Sequence, residues 1–134
     1  MKAIKLVFAI IAWLFSTGTT SAGNYNEDYF VRLIAKTKIK GKVEHRLFNQ
    51  KRVDLLTDTH AYEVDWLHKA WSEGIGQALH YAIATGKKPG VIALVDKPHN
   101  ANLSALLKTA EIYNIDVKVF YVNKQNGKIE KEMK

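Results

Sequence analysis

The spacing of apolar and polar residues divides the chain into stretches with strand periodicity and stretches with helix periodicity. Residues 43–48, 52–57 and 60–66 are short and rich in β-branched and aromatic residues, which predicts three strands. Asp58 and Thr59 form a polar pair between the second and third of these, as expected for a two-residue hairpin turn. The pattern therefore predicts three consecutive antiparallel strands.

Helical spacing appears on either side of these strands. The first predicted helix runs through Tyr29, Phe30, Leu33 and Ile34, with Asn24 or Asn26 as its cap. After Trp66 the period changes from two to about 3.6. One apolar stripe then continues to a helix end near Gly86 and consists of Leu67, Trp71, Ile75, Ala78, Leu79 and Ala82.

The last part of the chain predicts a strand, a helix and a strand. Residues 90–95 are almost wholly apolar, as in a central strand covered on both faces. A helix capped by Asn100 or Asn102 follows, and residues 117–122 form a further strand, so that the two strands are parallel. The Lys-rich tail from Lys124 is predicted to fray. The predicted order αβββαβαβ corresponds to an α/β fold with a mixed sheet flanked by helices.

The first 22 residues have the features of a secretory signal peptide. Residues 1–5 form a short basic start that contains Lys2 and Lys5. Residues 6–15 are apolar, and a small-residue cleavage site ends at Ala22. The apolar run is far below the roughly 20 residues that a membrane-spanning helix requires, so no stable membrane insertion is expected. We therefore predict cleavage after Ala22, a single domain over residues 23–134, and export to a bacterial periplasm or medium.

Composition adds little to this picture. The 134-residue chain has a net charge of +7, and loss of Lys2 and Lys5 with the signal peptide lowers it to +5. A moderate positive charge favours polyanions such as nucleic acid, although only weakly. The chain has no cysteine, and its histidines lack the spacing of a zinc site.

Carboxylates gather on the predicted hairpin. If Thr57 faces His60 across the turn, Asp54 lies directly opposite Glu63, and Asp65 points to the same side of the sheet. Like charges at such positions repel, whereas a hard cation needs several oxygen ligands close together. A register shift of one residue would instead place Glu63 and Asp65 on the face opposite Asp54.

Two further features relate to this cluster. With a three-residue loop between the first two strands, Phe48 opposes Arg52 and Glu44 opposes Leu56, so Glu44 becomes a fourth carboxylate on the face of Asp54. Gly74 and Gly76 occupy one turn of the second helix, where two glycines cost about 1 kcal/mol each relative to alanine. Their presence suggests a close approach to the helix backbone.

Taken together, these residues resemble the PD-(D/E)XK nuclease superfamily, which has the restriction-endonuclease-like fold. The similarity rests on an acidic residue in the first strand, RVDLLTD around Asp54, EVD at residues 63–65, and Gln77-x-x-x-Tyr81 on the following helix. The last motif is similar to that of the RecB-type branch. The resemblance covers nearly all of residues 23–134.

The resemblance implies a nuclease that hydrolyses phosphodiester bonds in DNA with Mg²⁺ or Mn²⁺. It implies that Asp54 and Glu63 bind the metal, that Glu44 is a ligand or supports one, and that Gln77 and Tyr81 position the substrate. Where the family has its lysine, two residues after the acid, this chain has Asp65. Lys69, predicted to lie one turn into the second helix, is the candidate to supply the missing positive charge. Asp54, Glu63, Asp65 and Lys69 are therefore the predicted catalytic set.

Other interpretations of the same residues stay open. The acids could be solvated residues on an exposed sheet face, Gln77 and Tyr81 a polar helix edge, and Lys69 a surface lysine. A catalytically inactive nuclease-fold protein that binds nucleic acid is the main alternative function, and Asp65 favours it. If the signal peptide is misidentified, the chain is a cytosolic or anchored nuclease. By analogy with junction-cutting members of the fold, a homodimer is expected.

Overall fold

The computed structural model describes residues 23–69 and 71–133, so the predicted signal peptide lies outside the described residues. In chain order, the described elements are α1 (Glu27–Thr37), β1 (Lys42–Arg46), β2 (Arg52–Leu56), β3 (His60–Trp66), α2 (Trp71–Thr85), β4 (Lys88–Val95), α3 (Asn100–Tyr113), β5 (Asp116–Val122) and β6 (Ile129–Met133). Among these elements, no helix is long and apolar enough to cross a bilayer.

The six described strands form one mixed sheet in the order of the sequence, β1-β2-β3-β4-β5-β6. The three N-terminal strands are antiparallel, β3, β4 and β5 are parallel, and β6 returns antiparallel to β5. An α/β fold with a mixed sheet flanked by helices, as the sequence predicts, is confirmed. The elements follow the predicted order αβββαβαβ, with one strand added at the end.

That added strand corrects the prediction that the Lys-rich tail frays. Phe120 pairs with Glu132 and Val122 pairs with Ile129 in the β5–β6 ladder. Most of β6 is exposed and charged, so its sequence lacks the alternation that identifies a half-buried strand. Charged side chains on an edge strand also discourage pairing with other chains.

Each face of the sheet has its own hydrophobic core. On one face, α1 places Phe30 and Ile34 against a set of strand residues that includes Tyr62, Val64 and Trp66. Asn26 caps α1, as predicted, by accepting a hydrogen bond from the Tyr29 backbone N–H at 3.0 Å. On the other face, α2 and α3 cover the odd-numbered residues of β4 and β5, among them Val91, Ala93, Val95 and Val119.

The starts of α2 and α3 differ from the prediction. Helix α2 begins at Trp71, and Lys69 lies in a turn after β3, where its backbone N–H donates to the Trp66 carbonyl at 3.0 Å. The predicted position of Lys69 one turn inside the helix is therefore wrong. The α3 cap position is His99, which makes no side-chain capping bond, and Asn102 donates its side-chain amide to the Leu67 carbonyl at 3.1 Å. Both asparagine caps predicted for α3 are thus wrong.

Two glycines give a direct test of this packing. A Cβ at Gly90 on β4 would lie 2.4 Å from the Tyr62 ring, whose hydroxyl donates to Asp116 at 2.6 Å. A Cβ at Gly76 on α2 would meet nothing within 4 Å. We expect Gly90→Ala to lower the free energy of unfolding by about 1–3 kcal/mol through overpacking. Gly76→Ala should raise it by about 0.5–1 kcal/mol through helix propensity. Urea denaturation of both variants measures the two effects, and equal effects would contradict the described packing.

Candidate functional site

The β2–β3 hairpin has the predicted turn and the predicted register. The Thr57 backbone N–H donates to the His60 carbonyl at 2.9 Å across Asp58 and Thr59. Leu55 pairs with Tyr62 and Leu56 pairs with Ala61, so the next position in this register places Asp54 level with Glu63. The alternative register, shifted by one residue, is excluded.

One residue before Leu55, the Asp54 side chain connects β2 to β3. The Asp54 carboxylate accepts a hydrogen bond from the Val64 backbone N–H at 2.8 Å. This bond fixes the carboxylate beside β3 and leaves its second oxygen for another partner. Asp54 is therefore a half-buried carboxylate held in one orientation by the backbone, rather than a mobile surface group.

Glu63 is the charged residue that the fold buries most deeply among those described. It is 8% exposed, and its Oε2 atom has no hydrogen-bond partner among the described residues. A buried carboxylate oxygen without a partner costs free energy, since it has lost its hydration. Burial raises the pKa of Glu63 far above its usual range, and the neighbouring carboxylate of Asp54 raises it further.

Helix α2 covers this pair of carboxylates. A Cβ at Gly74 would lie 3.7 Å from Glu63 Cγ and 3.8 Å from Asp65 Oδ2, so the helix backbone runs directly over the acids. These are ordinary van der Waals distances, so an alanine would fit at Gly74, and Gly76 has no neighbour within 4 Å. The prediction that the two glycines mark a close approach to the helix backbone is therefore wrong. Tyr81 is buried two turns further along, where burial and then the charge of Glu63 raise its pKa to about 12. Gln77 is half-buried on the same helix, one turn from both Gly74 and Tyr81.

Asp65 and Lys69 lie at the open end of the cluster. Asp65 is partly buried, and its carboxylate accepts the Trp66 backbone N–H at 2.8 Å. Burial raises the pKa of Asp65, while the positive charge of Lys69 opposes this rise. The side chain of Lys69 is exposed and lines a cleft with Glu27, Trp66 and Lys124. The structure thus brings Lys69 close to the carboxylates, although from a turn rather than from the predicted helix.

Glu44 is placed differently from its prediction. Arg46 pairs with Arg52 and Lys42 pairs with Leu56, so the loop between β1 and β2 has five residues and the predicted partner of Glu44 is wrong by two positions. The observed register places Glu44 level with Asp54. Glu44 adopts a left-handed backbone conformation with φ of 53°. Its carboxylate is 42% exposed and lies 3.4 Å from Arg32 and 3.8 Å from Arg52. Glu44 contributes to the field at Asp54, but two arginines compete with any metal for its oxygens.

Glu27 is a member of the cluster that the sequence did not identify. It is the first residue of α1, where an acidic residue is expected simply because it favours the positive end of the helix. In the structure it is half-buried, and its pKa rises to about 7 through burial and the negative charges of Asp65 and Asp54. Only the packing of α1 across the sheet could reveal this proximity, since no spacing in the sequence relates residue 27 to residues 54–65.

The cluster as a whole is a strongly disfavoured concentration of negative charge. The pKa values of Asp54, Glu63, Asp65 and Glu27 all rise, in each case mainly through burial. Such groups keep protons at a pH where ordinary carboxylates are ionised. A cation placed among them would replace those protons and relieve the repulsion.

The carboxylate oxygens of this cluster suit a small hard cation that keeps several water ligands, rather than a metal ion surrounded only by protein ligands. Among the described residues, no group of three or more His, Cys, Asp or Glu side chains is arranged to hold a metal ion. Mg²⁺ is usually held by one or two carboxylates and keeps several of its waters. The adjacent carboxylates of Asp54 and Glu63, with a Glu63 oxygen that has no partner in the described part of the chain, meet that requirement.

Comparison with known proteins returned no match among protein-family models, curated proteins or solved structures.

Proposed function

We propose that this protein is a Mg²⁺-dependent nuclease that hydrolyses DNA phosphodiester bonds on a restriction-endonuclease-like fold. The observation that carries the proposal is the pair formed by half-buried Asp54 and buried Glu63, level with each other on neighbouring strands, with one Glu63 oxygen that has no partner among the described residues. A chain selected only for stability gains nothing from two adjacent carboxylates withdrawn from water. A chain that binds a divalent cation needs them.

Each neighbouring residue has a role in this proposal. Asp54 and Glu63 would hold the ion, and the hydrogen bond from the Val64 N–H fixes the orientation of the Asp54 carboxylate. When bound, the ion supplies Lewis-acid polarisation of the scissile phosphate and a lower pKa for the attacking water. Tyr81 lies beside Glu63 and restrains its carboxylate, and the role of positioning the substrate is assigned to Gln77, which is half-buried one turn before Tyr81 on the same helix.

Lys69 is proposed to stabilise the negative charge that develops on the phosphate during hydrolysis. It is the exposed cation whose charge reaches both Asp65 and Glu27. Asp65 occupies the position where the family has its lysine, and an aspartate cannot supply positive charge. The ammonium of Lys69 would therefore approach the phosphate from the turn between β3 and α2.

A nuclease assay tests the proposal directly. Purified protein is incubated with single-stranded or double-stranded DNA in the presence of Mg²⁺, Mn²⁺ or EDTA. Cutting that depends on the metal is the expected result. DNA binding without cutting in either metal would refute the hydrolytic function and favour the alternative, a nucleic-acid-binding protein in which Asp65 marks a lost active site.

The role of Lys69 has its own prediction. We expect Lys69→Ala to slow cutting by about a hundredfold, as loss of one preorganised charge in a phosphoryl-transfer site does, and Lys69→Arg to retain much of the activity. The measurement is the single-turnover rate at saturating protein. Lys108→Ala removes an exposed lysine on α3 and should leave the rate unchanged. Undiminished cutting by Lys69→Ala would show that Lys69 has no catalytic role.

A further inference from the structure

The tip of the β1–β2 hairpin, residues 46–52, presents an aromatic side chain to solvent. Phe48 is fully exposed at the tip, whereas its neighbour Leu47 packs against Val53, Ala61 and Tyr81. Burying a phenylalanine side chain stabilises a protein, a gain that this position forgoes. Single exposed apolar residues are common, so the surroundings of Phe48 decide its meaning.

Those surroundings are basic. Arg46 and Arg52 pair directly across the β1–β2 ladder, and Lys51 lies beside them in the loop; all three are exposed. Like charges directly opposite each other on a sheet repel. Neither Arg46 nor Lys51 forms an ion pair with a described residue. An aromatic ring among unpaired cations is the combination that binds the bases and phosphates of a nucleic-acid strand.

The tip is also held in place. The Leu47 N–H donates to the Lys51 carbonyl at 2.8 Å, and the Gln50 N–H donates to the Leu47 carbonyl at 3.1 Å. The Asn49 side-chain nitrogen lies 3.1 Å from His80 Nε2 on α2, which ties the loop to the helix that covers the carboxylates. Phe48 is therefore presented by an internally bonded turn.

The position of the tip relates it to the candidate site. Arg52 begins β2 only two residues before Asp54, a distance of about 7 Å along an extended strand. Leu47 and Tyr81 share one apolar cluster, and Tyr81 lies beside Glu63. A strand of nucleic acid that contacts the tip is thus within a short reach of Asp54 and Glu63.

We propose that the β1–β2 tip is a DNA-binding element in which Phe48 stacks on an unpaired base while Arg46 and Lys51 contact the flanking phosphates. This inference rests on the proposed function, because it names the part of the protein that brings the substrate to the site. It specifies a substrate with unstacked bases, since a base inside an intact duplex offers no free face to Phe48.

The test is a binding measurement in EDTA, so that no cutting occurs. Fluorescence anisotropy compares a short labelled oligothymidylate with an abasic strand of the same length and charge. Phe48→Ala should weaken binding to the oligothymidylate by about tenfold and leave the abasic strand unaffected, because only the first has bases to stack. Tyr113→Ala, which removes an exposed aromatic on α3, is the matched control and should bind both strands as the wild type does.

A second variant tests the cationic part. Lys51→Gln should reduce the slope of log affinity against log salt by about 0.7, the value for one phosphate contact on a single strand, whereas Phe48→Ala should not change that slope. Equal weakening of both strands by Phe48→Ala would overturn the stacking role. Binding of each variant to anionic lipid vesicles is measured as well. If Phe48→Ala binds the vesicles more weakly than the wild type does while its DNA binding is unchanged, the tip is a membrane contact and the proposal is overturned.

The inference and the proposed function fail separately. If Phe48→Ala weakens oligothymidylate binding but the wild type never cuts DNA, the tip is confirmed as a DNA contact and hydrolysis is refuted. If the wild type cuts with Mg²⁺ and Phe48→Ala binds normally, hydrolysis stands and the role of the tip is refuted.

Discussion

Asp54→Asn should reduce metal-dependent DNA cutting by about a thousandfold or more while the protein stays folded. The carboxylate is a proposed metal ligand, and loss of the Lewis acid removes several kcal/mol of transition-state stabilisation. The amide oxygen of asparagine can still accept the Val64 N–H, which Asp54 accepts at 2.8 Å, so the strand geometry is retained. The measurement is the single-turnover cutting rate in Mg²⁺, accompanied by a thermal melt.

Asp58→Asn is the matched control for this experiment. Asp58 is an exposed aspartate in the turn of the same hairpin. Its backbone carbonyl, rather than its carboxylate, accepts a hydrogen bond from Lys87 Nζ. The control should cut as the wild type does. Cutting by Asp54→Asn at the control rate would remove Asp54 from the metal site and with it the main support for the nuclease proposal.

Glu63→Gln should stabilise the metal-free protein at pH 8 by about 2 kcal/mol. At pH 8 the unfolded chain has an ionised Glu63, whereas the folded protein holds a proton on the Glu63–Asp54 pair, and taking up that proton on folding costs stability. Glutamine is neutral in both states and its amide can donate to Asp54 in place of the protonated acid, so the cost is removed and about 2 kcal/mol is gained. Chemical denaturation in EDTA measures the change. Glu111→Gln, which alters an exposed carboxylate on α3, should have little effect. A destabilised Glu63→Gln would mean that the ionised carboxylate has a partner in the folded protein.

The same carboxylates set the pH dependence of stability. The pKa of Glu63, Asp54, Asp65 and Glu27 is higher in the folded protein than in the unfolded chain, that of Glu27 reaching about 7. Between the unfolded pKa values near 4 and these raised values, the folded protein holds more protons, so stability falls as pH rises. We expect the metal-free protein to lose on the order of 1 kcal/mol per pH unit between pH 5 and pH 8.

Metal and the Glu63→Gln variant should both flatten this slope. Mg²⁺ replaces the protons and binds more tightly as pH rises, and the glutamine has no proton to lose. Asp96 does not interfere in this range. Burial acts to raise its pKa, but the charge of Lys124, 3.2 Å away, lowers it overall, so the stability that Asp96 contributes is lost only in more acidic solution. Stability that rises from pH 5 to pH 8 in EDTA would contradict the described cluster.

The sequence alone determined most of the local structure, because local structure depends on residues close together in the chain. Alternation and turn chemistry around Asp58 and Thr59 specified the β2–β3 register, which placed Asp54 level with Glu63. The apolar run of β4 predicted a central strand, and Asn26 predicted the start of α1. The signal peptide, the metal, the DNA substrate and the homodimer remain predictions.

Where local signals were weak, the tertiary structure decided. The five-residue loop before Arg52, the late start of α2 and the pairing of β6 each depend on contacts with distant segments. The membership of Glu27 in the carboxylate cluster and the contact of Glu44 with Arg32 follow from how α1 crosses the sheet, and the contact of Glu44 with Arg52 follows from the β1–β2 pairing. Such placements are set by packing between elements far apart in sequence. Hydrophobic periodicity is a local pattern and carries no information about that packing.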